Sequence, residues 1–170
     1  SYIAADGVDL AAYNGATDQV PVDGSLYELP FRNDFWVLFY NKDIFDAAGV
    51  DYPTNDMTWA QYDELARKLT DTTFGSQVYG SHYHTWRSTV QLMSVLDGKH
   101  TILDGNYDFM KDYYDMVLSQ EADSVCRKYT DLKTESLHYS AAFSSGDTAM
   151  LNMGSWFIAT MITNLAKGDY

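Results

Sequence analysis

Residues 30–45 read PFRNDFWVLFYNKDIF, and this stretch decides the fold. An uninterrupted apolar and aromatic run, 35–40, stands between three polar residues at 32–34 and three more at 41–43. A run of this length is typical of a strand that is covered on both faces, as in a parallel or mixed sheet between helices. The pattern therefore predicts a buried strand over 35–40, with a carboxylate placed directly before it.

Helical and strand patterns alternate along the rest of the chain. Before the first strand, residues 1–24 predict a loop or short helical turns that lead to a turn at 22–25. We expect helices over 42–48, 59–69, 85–96, 106–118, 137–143 and 156–166, and strands over 25–31, 35–40, 78–82 and 148–153. Expected helix ends are Gly49 as a C-cap and Thr58 with Gln61 as a capping box, with Thr85 and Asn106 as further N-caps. Strands that alternate with helices favour a layered α/β domain.

Composition excludes several classes of function. The chain has 170 residues, 46% of them hydrophobic, which suits one domain with a substantial core. Its formal net charge of −13 repels nucleic acid and anionic membrane surfaces. The single cysteine, Cys126, excludes an internal disulfide. No His and Asp partners lie close to it in the sequence, so a catalytic thiol is not indicated.

The polar residues before the first strand are the first candidate site. Ligands of open α/β sheets bind in crevices at the ends of strands, which makes Asp34, with its neighbour Asn33, a candidate cleft residue. The alternative is a solvated turn in which Arg32 and Asp34 pair with each other.

A second candidate is SHYHTWR, residues 81–87. His82 and His84 share one face of a strand, but the spacing of other potential ligands is not that of a metal site, so we expect no metal. Tyr83, His84 and Trp86 combine flat rings with polar tips at a strand-to-helix junction. The alternative is that Trp86 anchors its helix in the core.

The third candidate is GDTAMLNMGSWF, residues 146–157, where a strand leads into a helix whose first turn carries Trp156. Gly154 allows close approach of the backbone, and Trp156 could present its ring to a ligand there. The segment lacks the glycine pattern and the lysine of a phosphate loop, and no G-x-S-x-G elbow for a nucleophile occurs in the chain.

Segments 27–50, 58–69 and 141–161 resemble, in order and spacing, the carbohydrate-binding extracellular solute-binding proteins of ABC transporters, the group that includes maltose-binding protein. The resemblance implies a layered α/β/α lobe of the periplasmic-binding-protein-like (type II) fold, with helices on a mixed sheet. It also implies that residues 1–30 form the end of the first-lobe segment, which leads to the hinge. Residues 31–170 then form most of the second lobe, truncated before the return crossing.

The resemblance also implies roles for the candidate residues. Asp34 corresponds to a cleft carboxylate that accepts hydrogen bonds from sugar hydroxyls, and Trp156 to a tryptophan that stacks on a sugar ring. Tyr83 and Trp86 fall in a segment that supplies further cleft aromatics, and we add Asn33 and His84 as neighbouring ligand contacts.

The function implied is that of a substrate-binding component of an ABC importer, which binds a saccharide between two lobes and delivers it to membrane permease subunits. No catalysis, cofactor or nucleic acid is expected. The expected location is extracellular, as a bacterial cell-surface lipoprotein or a periplasmic protein, with the signal sequence outside this chain. An isolated fragment is expected to bind sugar weakly and to allow a non-physiological dimer through uncovered surface. The alternatives are a glycan-binding adhesion or structural module and a glycan-acting enzyme.

Overall fold

The computed structural model describes residues 2–70, 77–103 and 105–168. The chain divides into two compact units, residues 1–35 and 36–170, which are described separately below. The strands are β1 (Trp36–Tyr40) and β2 (Met150–Gly154). The helices are α1 (Tyr2–Ala5), α2 (Lys42–Ala48), α3 (Trp59–Leu69), α4 (Ser88–Val95), α5 (Lys111–Ala122), α6 (Tyr129–Thr134), α7 (Tyr139–Ser144) and α8 (Trp156–Lys167). None of the helices in these ranges has the length and hydropathy that a bilayer crossing requires.

The first unit consists of short turns, as the sequence predicts. After α1 come two 3-10 turns, Leu10–Tyr13 and Ala16–Gln19. A tight turn then follows in which Val22 and Ser25 exchange both backbone hydrogen bonds, at 2.9 Å each. Its central residues, Asp23 and Gly24, have φ of 50° and 73°, as a type I′ turn requires. The predicted strand over 25–31 is wrong, because no strand of the described chain pairs with this segment beyond Ser25.

The second unit is organised around β2. On one side β2 pairs antiparallel with β1, in a register that places Trp36 opposite Gly154. On the other side single parallel bridges join Tyr79 to Thr148 and His82 to Leu151. The predicted strand over 78–82 is therefore reduced to isolated bridges along β2, and the arrangement is mixed, with β2 in the middle.

The central position of β2 corrects the expectation that β1 is covered on both faces. Every residue of β1 is only half-buried, whereas β2 is buried at four of its five positions. A strand with neighbours on both sides loses more surface than one paired on a single side, and the continuous apolar run of 35–40 does not reveal that difference.

Several helix ends follow the sequence signals. Thr58 accepts a hydrogen bond from the Gln61 backbone N–H, and the Gln61 side chain accepts one from the Thr58 backbone N–H at 2.8 Å, which completes the predicted capping box of α3. Gly49 ends α2 in the left-handed region with φ of 62°. Helix α8 begins at Trp156, as predicted, and extends one residue beyond the expected end.

Other helices differ from the prediction. Helix α4 begins at Ser88 rather than being capped by Thr85, and it ends at Val95, one residue before the expected end. A 3-10 turn precedes α5, and Asn106 accepts a hydrogen bond from the Asp108 N–H instead of capping one continuous helix. Helix α7 begins at Tyr139, with His138 as its N-cap, and α6 was not predicted. These elements are short, and tertiary packing rather than local signals sets their limits.

A buried chain of hydrogen bonds connects the bridging segment beside β2 to α3 and α5. The Gln120 side-chain carbonyl accepts hydrogen bonds from the Ser81 hydroxyl at 2.5 Å and the Tyr83 hydroxyl at 3.1 Å. The Gln120 side-chain amide in turn donates to Asp63 at 2.6 Å, and Asp63 accepts from Arg67 at 3.0 Å. Gln120 has no exposed surface, so it satisfies polar groups that water cannot reach.

We expect Gln120→Ala to lower the free energy of unfolding by about 3 kcal/mol, because buried hydroxyls lose their acceptor and a cavity remains. Urea denaturation followed by circular dichroism measures the change. Gln91→Ala is the matched control, since it removes the same side chain from a half-buried position of α4, and we expect it to cost less than about 1 kcal/mol. Equal losses in the two variants would contradict a structural role for the Gln120 amide.

His82 is a buried, uncharged histidine beside β2. Only 1% of its surface is exposed, and neither ring nitrogen has a hydrogen-bond partner among the described residues. Burial lowers the pKa of His82 to about 3, and the positive charge of Arg127 contributes to this shift. The unfolded chain therefore takes up a proton at His82 near pH 6.5, whereas the folded protein does so only near pH 3.

Because the unfolded state binds more protons between these pH values, His82 should destabilise the protein progressively as the pH falls from 6.5 toward 3. We expect His82→Leu to reduce the slope of unfolding free energy against pH by up to about 1.4 kcal/mol per pH unit in this window. Urea denaturation at several pH values measures the slope. An identical profile for His82→Leu and the wild type would refute the assignment.

Candidate functional site

An aromatic cluster forms where β1, β2 and α8 meet. We define the aromatic cluster by its rings, which are those of Trp36, His84, Trp86, His138, Tyr139 and Trp156. The ring centroids of Trp36 and Trp156 are 5.8 Å apart at an interplanar angle of 86°, and those of Trp86 and Trp156 are 6.1 Å apart at 52°. The Trp36–Trp156 contact is edge to face, a geometry that stabilises an aromatic pair by about 0.5–1.5 kcal/mol beyond area burial, whereas the Trp86–Trp156 contact is tilted. The structure thus brings together three of the sequence-predicted residues, namely His84, Trp86 and Trp156.

Gly154 and Tyr139 position the indole of Trp156. A Cβ atom added to Gly154 would lie 2.1 Å from two carbons of that indole, so the ring lies directly against the glycine backbone. The indole N–H donates a hydrogen bond to the Tyr139 hydroxyl at 3.2 Å. The Trp156 side chain is half-buried, which holds the ring in place and leaves part of it at the surface.

The histidines of the aromatic cluster add polar edges. The ring of His84 lies 4.6 Å from that of Trp86 and 5.1 Å from that of Tyr139, both edge to face. Burial lowers the pKa of His84 to about 4, and the neighbouring His138 lowers it further, so His84 is uncharged at neutral pH. His138 is exposed, and its ring accepts a hydrogen bond from the Ser140 N–H at the start of α7.

Tyr83 takes a different position from the other predicted residues of its segment. Its side chain is 7% exposed, and its hydroxyl is engaged by Gln120. Burial raises the pKa of the Tyr83 hydroxyl well above its usual value, so it remains protonated. Trp86, at 41% exposed, is not the core anchor that the alternative reading of the sequence required.

Asn33 and Asp34 belong to the first unit, and both residues are exposed. The Asp34 carboxylate lies 3.2 Å from the guanidinium nitrogen Nε of Arg32, which is the pairing that the alternative reading of this turn described. With the Arg32 side chain 65% exposed, such a pair contributes little to stability. A role for Asn33 and Asp34 in ligand binding stays a prediction.

Two cavities border the cluster. One of about 270 Å³, here called the Trp86 cavity, is lined by residues that include Tyr83, His84, Trp86, Tyr114, Glu121 and Tyr129. A larger one, of about 440 Å³, lies beside β1 between Trp36 and Trp59 and includes none of the predicted site residues. Among the described side chains, no group of three His, Cys, Asp or Glu residues could hold a metal ion.

Sequence reasoning missed Trp36, His138 and Tyr139. The signal for Trp36 was present, since it begins the strand that pairs with the strand ending at Gly154, but the register that sets Trp36 opposite Gly154 is a tertiary property. His138 and Tyr139 precede and begin a six-residue helix whose position along the chain the pattern did not fix.

We expect Gly154→Ala to displace the Trp156 indole, because the new methyl group cannot share the space of the ring. The near-ultraviolet circular dichroism of the tryptophans should change, and the free energy of unfolding should fall by about 1–3 kcal/mol. The control is the double variant with Trp156→Ala, in which the clash is absent. There Gly154→Ala should cost at least 1 kcal/mol less than in the wild-type background. Additive effects would show that the glycine and the indole do not contact each other.

Comparisons with known proteins place this geometry in a family. The family model for bacterial extracellular solute-binding proteins matches residues 1–169. A crystal structure of a sugar transporter from Rhizobium etli in an open conformation is 49% identical with a TM-score of 0.88, and the match covers 99% of this chain and 43% of that one. An ABC substrate-binding protein from Listeria monocytogenes, in complex with cycloalternan, is 28% identical with a TM-score of 0.74 over 92% of this chain and 42% of that chain.

A curated relative, the sn-glycerol-3-phosphate-binding periplasmic protein of Brucella abortus, is 25% identical over 144 residues, which are 78% of this chain and 32% of the relative. The chain therefore spans less than half the length of each of these proteins. The structural matches confirm the predicted α/β lobe of the periplasmic-binding-protein-like (type II) fold. Because the family model covers nearly every residue, the chain belongs to the bacterial extracellular solute-binding proteins.

Proposed function

We propose that this chain is part of the substrate-binding component of an ABC importer, which binds a sugar or oligosaccharide and delivers it to the permease. Residues 31–170 would form most of the second lobe, and residues 1–30 would lead to the hinge from the first. The protein would act outside the cytoplasmic membrane, as a cell-surface lipoprotein or in a periplasm. Ligand that touches both lobes would favour the closed form, which the permease recognises.

The observation that carries the proposal is the indole of Trp156, half-exposed and held by Gly154, Tyr139 and two further tryptophans. The C–H faces of a sugar ring complement such an indole, and the hydroxyl rim of the sugar complements hydrogen-bonding groups beside it. Contacts with Gly154, Tyr139 and the neighbouring tryptophans fix the indole, so binding costs little ordering entropy at this position.

The chemistry of the aromatic cluster favours a neutral sugar over a phosphorylated solute. None of its residues is Lys or Arg, His84 is uncharged at neutral pH, and the chain as a whole carries a net charge of −13. The names of the relatives agree in part, since the Rhizobium protein is a sugar transporter and another structural match, 25% identical, holds mannobiose. The Brucella relative is named for sn-glycerol 3-phosphate, whose dianion would find no Lys or Arg among the residues of this cluster, although the charge of the neighbouring Lys133 acts on His84.

In the proposal, Asp34 serves as an acceptor for sugar hydroxyls. A charge-assisted hydrogen bond to a carboxylate contributes about 1.5–3 kcal/mol. Asn33 would add a side-chain amide that both donates and accepts hydrogen bonds. The proposed protein performs no catalysis, and the aromatic cluster contains no carboxylate pair of the kind that a glycan-cleaving enzyme uses.

Isothermal titration calorimetry of the full-length natural protein against mono- and oligosaccharides, together with sn-glycerol 3-phosphate, tests the proposal. We expect one saccharide to bind with micromolar or tighter affinity and Trp156→Ala to weaken that binding at least tenfold, or about 1.4 kcal/mol. Trp59→Ala, a half-buried tryptophan outside the aromatic cluster, is the matched control and should leave the affinity within about twofold. Binding of the phosphate ester alone, or equal losses in both variants, would contradict the proposal.

A further inference from the structure

We propose that His138 is a positioning residue for Trp156, so that the protein binds its sugar more tightly while the His138 ring is neutral than after the ring is protonated. The inference rests on the proposed function and adds regulation of that site by pH. It depends on three contacts, which lead from the backbone of α7 through the rings of His138 and Tyr139 to the indole of Trp156.

The His138 side chain caps helix α7 in a way that only the neutral ring allows. Its backbone has φ of −79° and ψ of 144°, the extended geometry of an N-cap, and its ring nitrogen Nδ1 accepts a hydrogen bond from the Ser140 N–H at 3.3 Å. A protonated imidazole carries a hydrogen on both nitrogens and accepts no hydrogen bond. Its positive charge would also lie at the N-terminal end of a helix, where cations are unfavourable. Protonation of His138 therefore removes the cap.

Tyr139, the first residue of α7, connects this cap to the indole. Its ring centroid lies 4.0 Å from that of His138, and its hydroxyl accepts the hydrogen bond of the Trp156 indole N–H at 3.2 Å. Tyr139 is buried and packs edge to face on Phe157 at a centroid distance of 5.2 Å, so its ring cannot reorient independently of α7. A shift in the first turn of α7 would therefore move the Tyr139 hydroxyl away from the indole.

The groups beside His138 do not offset a positive charge on its ring. The rings that contact it are those of His84 and Tyr139, at centroid distances of 5.5 Å and 4.0 Å. Lys133, on α6, acts on His84 with a positive charge, as His138 does. None of these three groups is a carboxylate, so a protonated His138 gains no ion pair from them.

The other three histidines do not produce the same response. Burial lowers the pKa of His84 to about 4 and that of His82 to about 3, so both stay uncharged between pH 8 and 5.5. His100 pairs with Asp97, outside the aromatic cluster. His138 is exposed, and histidine is the side chain whose charge normally changes between pH 8 and 5. A response of the aromatic cluster in this range is therefore assigned to His138.

The first test follows the near-ultraviolet circular dichroism of the tryptophans from pH 8 to 5.5 in the full-length natural protein, without added sugar. We expect a reversible change in the wild type that is absent from His138→Asn, because an asparagine side chain caps a helix at either pH. His100→Asn makes the same substitution outside the aromatic cluster and should retain the wild-type change. Far-ultraviolet circular dichroism verifies that every protein stays folded. A flat wild-type signal, or a change that persists in His138→Asn, would overturn the inference.

The second test titrates the mono- and oligosaccharides of the calorimetric panel into the same proteins at pH 8 and at pH 5.5. We expect the wild-type affinity to fall by about threefold or more at pH 5.5, and the affinity of His138→Asn to be the same at both pH values. His138→Ala, which has no cap at either pH, should also be insensitive to pH, and at pH 8 it should bind about threefold or more weakly than His138→Asn.

Equal affinities of the alanine and asparagine variants, or a wild-type affinity that does not change with pH, would overturn the positioning role of His138 while the proposed function stands. Failure of every saccharide to bind at both pH values would overturn the proposed function, and the spectroscopic test would still decide whether His138 positions Trp156.

Discussion

The antiparallel register of β1 on β2 is the constraint on which the rest of the second unit depends. It sets Trp36 opposite Gly154, and Gly154, which has no side chain, leaves room for the indole of the first residue of α8 against the strand end. A slip of one residue would move every side chain of β1 to the other face of the sheet and separate Trp36 from Trp156. The candidate site is therefore a consequence of strand pairing, not of a flexible loop.

Buried polar side chains on the opposite side of β2 stabilise that arrangement through hydrogen bonds. The bridging segment that carries His82, Tyr83 and His84 makes few ladder hydrogen bonds, and Gln120 compensates by accepting from Ser81 and Tyr83 at once. Tyr83 thereby becomes a structural partner that orients its neighbours. His84, the next residue, can then present its ring to the aromatic cluster, because the backbone before it is anchored at the core. Because the buried His82 is uncharged, we expect the free energy of unfolding to decrease as the pH falls below 6.5.

The sequence predicted elements well where a local signal has a physical cause. The apolar run before Tyr40, the capping box at Thr58 and the glycine stop at Gly49 each depend on a few adjacent residues, and all are confirmed. It failed where distant partners decide the outcome. Residues 25–31 have strand-like composition but no partner strand in the described chain, and the burial of β2 exceeds that of β1 because of a segment about 70 residues away in sequence. The aromatic cluster draws on four separate segments, so only the members within recognised motifs, His84, Trp86 and Trp156, could be predicted from the sequence.

The charge distribution of the described residues is consistent with the neutral ligand of the proposed function. A net charge of −13 repels anions at long range, but it would also attract cations to any exposed carboxylate. The aromatic cluster avoids that attraction by containing no carboxylate and by keeping His84 uncharged, whereas the Trp86 cavity offsets Glu121 with Arg87. In the proposed function, aromatic faces would supply the affinity, and paired donors and acceptors would supply the specificity. A ligand with alternating C–H faces and hydroxyl edges satisfies both conditions, and a fully apolar or a charged solute of the same size satisfies only one.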